Sequence, residues 1–510
     1  MLSVFSSKFS APSAAKLVVP PEVSHVTETL EKANFKAFLV GGCVRDLLSG
    51  KKPKDWDVTT DATPEQIIAL FPDTFYENTF GTVGVVNKQE GIDPTLSIVE
   101  VTPFRLEAKY SDGRRPDAVT FSKHIEDDLK RRDFTINAIA LSRTGENTAK
   151  KGEWQVIDLF KGQADLKDRV IRAVGNADER FKEDALRIMR AVRIAAEHGF
   201  AIQKDTEVAI RADAGMLKNI SLERIRDEFS RILMANEPMK GIIMAQNMGI
   251  LKFVVPELEV AIGVEQNQAH AYTVWEHLLR SMQHAADKGW PLEIRLAALF
   301  HDIAKPETRR RGEKGEWTFY GHEVVGARVA KKILERLKYP NETIERVTKL
   351  VRWHMFFSDT EQISLSAVRR MVNNVGKEEI WNLMNVRICD RIGTGRPKGS
   401  PYRLRKYQAM IEEALRDPIS VGMLKIDGNV LIKDLGMTPG PKIGFILHAL
   451  LEEVLEEPKK NMPEYLQETA KKLAILPEQE LRKLGAEGKE SRAKADEEVV
   501  AEIRKKHWVQ

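Results

Sequence analysis

Cysteine is scarce in this 510-residue chain: only Cys43 and Cys389 occur, far apart and in no spacing that would ligate a metal. A disulfide framework is therefore excluded, and two free thiols fit a reducing, cytoplasmic setting. No apolar run approaches the length of a membrane span, so the expectation is a soluble protein with no membrane partner. A strong excess of one charge is also missing. The 79 Lys and Arg residues nearly balance the 75 Asp and Glu, leaving +4, and a pI of 8.7 permits a phosphate-rich partner without demanding one. The first sixteen residues lack acids and lack the apolar core of a secretory signal. They read as part of a disordered tail over 1–22, with an organellar presequence as the alternative. Nothing in the composition sets an oligomeric state.

What is present begins with glycine. Phe38-Leu39-Val40 reads as a short buried strand, Gly41-Gly42 follow it directly, and Val44 to Leu48 opens a helix. Without a Cβ, the glycine pair lets backbone N–H groups approach a triphosphate, and a helix starting there turns its amides toward it. Arg45 is placed to contact the phosphates and Asp46 to brace the loop, a surface ion pair being the alternative. Asp55 and Asp57, one residue apart on a predicted strand, point to one face and can hold the same pair of metal ions. Thr63-Pro64-Glu65 predicts a capped helix start, and 80–86 with 96–101 a strand pair whose Glu100 adds a third carboxylate unless it faces solvent. A charged, glycine-bearing loop is expected over 104–116. Arg132 and Asp133 then offer a donor fork and an acceptor suited to ribose and phosphate, with Asn137 set among apolar residues nearby.

The stretch Asn176 to Arg193 predicts one amphipathic helix on which Asp184, Arg187 and Arg190 recur every three residues. Cytosine and adenine both pair through an amino donor beside a ring-nitrogen acceptor, whereas uracil and guanine present a carbonyl beside a ring N–H. A carboxylate only accepts and a guanidinium only donates. Asp184 with Arg187 therefore complements C and A and opposes U and G, unless the two merely form a helix ion pair. Ser221 is placed to cap the next helix. Further on, His277, His301-Asp302, His322, His354 and Asp390 form an ordered His/Asp set. Isolated histidines of this kind would be core residues; together they suit a transition metal better than calcium or magnesium.

The motifs G-G-C-V-R-D, D-W-D-V-T, R-R-D-F-T-I-N-A and E-D-x-x-R, spread over about residues 25 to 260, resemble those of class II tRNA nucleotidyltransferases, the CCA-adding enzymes and bacterial poly(A) polymerases. That resemblance implies Mg²⁺ at Asp55 and Asp57, triphosphate and ribose contacts from Gly41, Gly42, Arg45, Asp46, Arg132 and Asp133, and an amino-acid template made of Glu183, Asp184 and Arg187. It implies tRNA, CTP and ATP as partners. The His/Asp set resembles the HD phosphohydrolase superfamily and implies Ni²⁺, Mn²⁺, Co²⁺ or Fe²⁺ at His277, His301, Asp302 and Asp390, with His322 and His354 bringing a second metal. The expected fold class is α+β: a mixed-sheet nucleotidyltransferase head (23–165), then an all-helical neck (166–260), HD domain (261–395) and tRNA-binding body and tail (396–510). Poly(A) polymerase and A-adding activities remain alternatives within the family, and an HD nucleotide phosphohydrolase with an RNA-binding head is the alternative outside it.

Overall fold

The computed structural model describes residues 17–76, 81–89, 91–107, 119–143, 153–266, 271–313, 315–356, 363–395, 401–416, 420–477 and 480–481. The expected tail before residue 17, most of the 104–116 loop, Phe80, the core of the 393–401 linker and the Lys/Glu-rich end of the chain lie outside these residues. The chain divides into two compact units, 1–256 and 257–510.

The first unit is built on a seven-stranded mixed sheet. Its strands are β1 (Ala37–Val40), β2 (Asp57–Thr60), β3 (Thr74–Tyr76), β4 (Val83–Val86), β5 (Ile98–Pro103), β6 (Ile139–Arg143) and β7 (Trp154–Asp158). The order is β3-β4-β5-β2-β1-β6-β7, with β2 and β5 parallel and the other pairs antiparallel. Helix α1 (Pro21–Lys32) buries Val23, Val26 and Leu30 in the same core as Leu39, Val58 and Val101. Helix α2 (Gly42–Leu48) starts at the glycine pair, and α3 (Pro64–Leu70) starts with a capping box in which Thr63 and Gln66 satisfy each other's backbone amides. The expected strand pair 80–86 with 96–101 forms as β4 and β5, in register at Gly84 and Glu100.

Four expectations fail locally. Asp55 lies in a bend ahead of β2, so the two aspartates do not share a strand. The predicted helix over 176–193 is two helices, α4 (Ala177–Glu183) and α5 (Leu186–His198), separated at Asp184, whose φ of −143° and ψ of 103° are extended. The break is held by Asp184 itself, whose carboxylate accepts the Leu186 amide at 3.0 Å and so starts the second helix. Helix α6 (Leu222–Met234) begins after Ser221 as expected, but Ser221 makes no side-chain cap. A parallel two-residue ribbon, Val170–Ile171 with Ala201–Ile202, interrupts the otherwise helical neck.

The second unit is almost wholly helical. Helix α7 (Val274–Asp287) is capped by Thr273, and α8 (Leu292–Phe300) is buried along nearly its whole length. Burying each large apolar side chain of α8 stabilises the unit by ~1.5–3 kcal/mol. Helices α9 (His322–Arg336), α10 (Asn341–Trp353) and α11 (Ile380–Gly393) complete the bundle, α11 lying against α7 and α10 against both α8 and α9. One two-residue hairpin, β8 (Arg310–Arg311) with β9 (Trp317–Thr318), joins the end of α8 to the start of α9. Beyond α11 the described chain continues as helices over Tyr402–Ala414, Gly428–Leu435, Pro441–Glu456 and Pro463–Ala474. No described helix is long and apolar enough to cross a membrane.

Candidate active site and metal centre

In the first unit the glycine turn, both aspartates and the neck helices open onto one cleft of about 930 Å³. Gly41 has φ of +81°, and a Cβ there would lie 2.9 Å from Asp57 Oδ2 and 3.0 Å from Arg132 Nη1. Only glycine serves at this position. Gly42 is different: a Cβ would meet Arg45 Nη2 at 3.6 Å and Asp55 Oδ1 at 3.8 Å, which are ordinary contacts. The two glycines therefore look straight onto the two carboxylates, although Asp55 reaches them from a bend rather than a strand.

Of the residues expected from the sequence, Gly41, Gly42, Arg45, Asp46, Asp55, Asp57, Arg132, Asp133, Asn137, Asp184, Arg187 and Arg190 line this cleft, whereas Glu100 and Glu183 do not. Glu100 is the parallel register partner of Asp57, on the adjacent strand. Glu183 instead accepts from Arg187 Nη1 at 2.6 Å and pairs with Arg180, so it aims Arg187 from behind. Carbonyls of Arg180 and Arg131 take two more of the Arg187 donors, at 3.1 and 2.9 Å.

A continuous chain of bonds ties the glycine turn to the neck. Arg45 donates to Asp46 at 2.9 Å and to Asn137 Oδ1 at 2.9 Å, Asn137 donates to Asp133 Oδ1 at 3.1 Å, and Arg190 Nε donates to Asp133 Oδ2 at 2.8 Å. Burial opposes the charge on Asp133, but the Arg190 guanidinium and the Asn137 amide outweigh it and hold the carboxyl well below the usual carboxylate range.

Sequence reasoning missed two supports. Asp128, fully buried, holds Arg131 and Arg132 from beneath, the latter at 3.1 Å. Arg224, on α6, grips both oxygens of Asp184 at 2.7 and 3.3 Å, so Asp184 pairs with a residue forty positions away and not with Arg187. Arg224 stood in a segment read only as a helix start; its one signal was a cation on the face of an amphipathic helix. The cleft also carries Lys51, Lys52, Lys54 and His198. His198 is pushed down to about 3 by burial and by the Arg45 and Lys51 charges, and its Nδ1 lies 3.2 Å from Lys51 Nζ.

In the second unit all six expected residues converge. His277, His301, Asp302 and Asp390 form one group with ligand atoms within 4.8 Å of one another, and Asp302, His322 and His354 form another that shares Asp302. These are the groups of that kind among the described residues; the head carboxylates do not form one. Helix α8 delivers His301-Asp302 at its C-terminal end, α7 carries His277, α9 opens at His322, α10 ends beside His354 and α11 carries Asp390. Helices α7 and α11 come together at Gly393, where a Cβ would lie 2.1 Å from Ser281 Oγ and 2.8 Å from the His277 carbonyl.

The histidine tautomers follow from their partners. Nδ1 of His301, His322 and His354 lies 2.9, 2.6 and 2.7 Å from the carbonyls of Ala298, Phe319 and Val351. A carbonyl only accepts, so each Nδ1 carries the proton and, in the neutral ring, Nε2 presents a lone pair inward. There Nε2 of His277 and His301 stand 2.9 Å apart and 2.9 and 3.2 Å from Asp302 Oδ2, while Nε2 of His322 stands 3.0 Å from Asp302 Oδ1. Acceptors converging on acceptors in a buried site call for a cation between them, which is the fit expected of a metal centre. Burial disfavours charge on His301, yet the Asp302 and Asp390 carboxylates raise its pKa to about 10, so that a proton on Nε2 competes for the same place as a metal cation; His354, with less help, is lowered to about 4 by burial. Lys305, absent from the expected set, lies 2.6 Å from Asp302 Oδ2 and is nearly buried.

Comparison with known proteins identifies the domain families of this chain. Residues 37–172 match the family described as the poly A polymerase head domain, 199–262 that described as a probable RNA and SrmB-binding site of polymerase A, and 274–392 the HD domain family. A CCA-adding enzyme of Lactiplantibacillus plantarum is 32% identical over 455 residues, covering 88% of this chain and 95% of that one. A CCA-adding enzyme of Leuconostoc mesenteroides is 41% identical over 261 residues, half of this chain and 61% of its own. The crystal structure of Bacillus stearothermophilus CCA-adding enzyme in complex with CTP superposes with a TM-score of 0.64 at 27% identity, covering 88% of this chain and 98% of that one. The fold is shared as well with a Thermotoga maritima CCA-adding enzyme complexed with tRNA, at 22% identity and a TM-score of 0.53 over 89% of this chain and 96% of that one. This chain belongs to the family of CCA-adding enzymes, tRNA nucleotidyltransferases with a poly A polymerase head, and carries an HD domain.

Proposed function

We propose that the cleft of the first unit adds C, C and A in turn to the tRNA 3′ end from CTP and ATP without a nucleic-acid template. The observation that carries this reading is the presence, on the walls of one cleft, of Asp55 and Asp57 beside the glycine turn and of Asp184 and Arg187 from the neck. Arg45, Arg132 and the amides at the glycine turn bind the triphosphate, and Asp133 with Asn137 holds the sugar end in place. Asp184 accepts from the base amino group and Arg187 donates to the ring nitrogen. Glu183 and Arg224 orient those two side chains, and Arg190 fixes Asp133. Two Mg²⁺ ions, when bound at Asp55 and Asp57 with Glu100 alongside, supply the positive charge that offsets the developing charge on the reacting oxygens. The rest of the rate comes from positioning and electrostatics, as in phosphoryl transfer generally. Head 23–165, neck 166–260, HD domain 261–395 and a tRNA-gripping body 396–510 are the divisions this reading assigns, in a cytoplasmic protein whose two buried thiols need no oxidant. Incubation of the purified protein with tRNA lacking its end and with CTP and ATP tests it. Three added residues and a stop support CCA addition, one added A an A-adding enzyme, and a long A tract polyadenylation; no extension defeats all three.

A second reading rests on the second unit. We infer that the HD centre is a metal-dependent phosphohydrolase acting on cyclic phosphates or damaged RNA ends, with Ni²⁺, Mn²⁺, Co²⁺ or Fe²⁺ held by His277, His301, Asp302 and Asp390 and a second ion by His322 and His354. The three Nδ1-locked histidines support it, because they fix the lone pairs that a metal requires. His301→Ala and Asp302→Ala should each abolish release from a 2′,3′-cyclic phosphate while sparing CCA addition. Loss of both activities together in a folded variant would defeat the two-site reading.

A further inference from the structure

The hairpin between α8 and α9 serves neither the bundle core nor the metal ligand set, yet both its feet stand on that set. At one foot, Lys305 lies against Asp302, and the chain leaves for Thr308 and Arg309. At the other, the Phe319 carbonyl accepts from His322 Nδ1 at 2.6 Å, and the Lys305 ammonium sits 5.4 Å from the Phe319 ring. The ribbon is thus rooted beside Asp302 and His322.

Its composition is that of an anion grip. Arg309, Arg310 and Arg311 run consecutively into β8, opposite Thr318 and Trp317 of β9. Side chains alternate along a strand, so Arg309 and Arg311 share the face of Trp317 while Arg310 shares the other face with Thr318. The contacts agree: the guanidinium carbons of Arg309 and Arg311 lie 3.5 and 3.8 Å from the Trp317 ring centroid. Arg310 Nη1 donates to the Glu307 and Arg309 carbonyls at 3.0 and 2.8 Å and Arg311 Nη1 to the Gly315 carbonyl at 2.5 Å, and the remaining N–H groups of each fork can serve a ligand. Arg310 and Arg311 are exposed, and Tyr320, just past β9, is 51% exposed. The acids of this segment, Glu313 and Glu316, lie toward the turn, Glu316 against Gly312.

We propose that this hairpin grips the phosphodiester backbone of single-stranded RNA whose end is presented to the HD centre. A mononucleotide seated on the metal ligands offers one phosphate there, and the hairpin carries more cations than one phosphate uses. Exposed arginines with an exposed tyrosine match the mixed electrostatic and stacking recognition of unpaired strands. The inference rests on the phosphohydrolase reading for its substrate and on the hairpin alone for its binding surface.

The test compares the full-length protein with Arg310→Gln/Arg311→Gln, which removes two charges and keeps planar polar groups. Substrates are a short oligonucleotide ending in a 2′,3′-cyclic phosphate and 2′,3′-cyclic AMP. The expected result is a KM for the oligonucleotide raised ~10-fold with kcat and the cyclic AMP kinetics unchanged, as befits the removal of charge-assisted hydrogen bonds. The slope of log(kcat/KM) against log salt should fall by ~1.4, ~0.7 for each phosphate that is no longer neutralised. Equal effects on both substrates, or no effect on either, overturn the proposal. Photocrosslinking of a 3′-phosphorylated oligonucleotide bearing 4-thiouridine gives an independent arm. Label in the peptide spanning 309–320 supports the grip; label confined to residues 1–256 or to a different surface of the second unit overturns it. If the wild-type protein hydrolyses neither substrate, the phosphohydrolase reading fails by itself and the crosslink decides the hairpin.

Discussion

In the head cleft Asp55 is exposed and Asp57 half-buried, while in the HD centre His277, His301 and His354 have no exposed surface and Asp302 only 2%. The residue types overlap and the environments do not. A site that must admit a nucleoside triphosphate and release pyrophosphate on every cycle keeps its carboxylates wet and puts its precision into the surrounding arginines, of which Arg131, Arg132 and Arg190 are tied down by the buried acids Asp128 and Asp133. A dry site cannot leave a charge or lone pair uncompensated. It fixes each imidazole through its far nitrogen and closes around whatever cation it holds.

Metal removal is the sharpest way to break this contrast. Brief chelation should abolish nucleotide addition completely, and added Mg²⁺ should restore it within mixing time, because the head carboxylates face solvent. The same treatment should leave the HD metal in place, measured as metal per chain after rapid desalting. Equal loss of both metals would mean that burial does not govern exchange here. Asp55→Ala/Asp57→Ala should then lower nucleotide addition by at least ~10³-fold, the scale expected when a preorganised charge partner is lost, with HD metal content unchanged.

Base selection should respond less. Asp184→Asn exchanges an acceptor for a group that also donates, so discrimination of CTP against UTP should fall ~10²-fold, since leaving a polar partner unpaired is what rejects the wrong base. Arg224→Ala leaves the Asp184 carboxylate chemically intact but unheld, and a smaller loss of ~10-fold is expected. Misincorporation of UTP into tRNA ending in its discriminator base measures both. An Arg224→Ala effect equal to that of Asp184→Asn would make Arg224 a direct reader of the base.

These variants also mark where the sequence was legible. Gly41, Asp57 and the six His and Asp residues that converge in the second unit were readable because residue type and order along the chain mark them: a left-handed turn needs glycine, and an ordered His/Asp set stands out from isolated core histidines. Strands β4 and β5 were legible as a pair, β5 through its alternation of open and buried positions, whereas β3, β6 and β7, which complete the sheet, were not read from the sequence. The break at Asp184 was not readable, because neither proline nor glycine marks it and the apolar period runs on through Leu186, Met189 and Val192. It exists because Asp184 trades a place in the helix for the Leu186 amide and the Arg224 guanidinium, a partner forty residues away that periodicity does not record. Lys305 and Asp128 escaped for a related reason. A charged residue announces its burial only through a partner, and the partner is chosen by the fold.

The smallest effect concerns stability and distinguishes the two centres by pH. Asp133 is buried and paired with Arg190 at 2.6 Å, and its folded-state pKa lies below that of an unfolded aspartate, about 3.9. A depressed carboxylate contributes fully above the unfolded pKa, and the contribution is lost as pH falls toward the folded value. Asp133→Asn keeps the hydrogen-bonding shape and removes the charge. It should cost ~1–3 kcal/mol at neutral pH, less than a wholly buried pair would, since the Arg190 side chain is 36% exposed. For a unit of this size that is a melting shift of ~2–10 °C. The gap between wild type and variant should stay constant from pH 7 to pH 5 and narrow below pH 4, as the unfolded wild-type chain takes up the proton that the variant cannot. Melting curves of the first unit's transition at each pH measure it. A gap that persists unchanged to pH 3 would show that Asp133 acts through packing and not through its charge, and the line of bonds from the glycine turn to the neck would then be a scaffold of shape rather than of electrostatics.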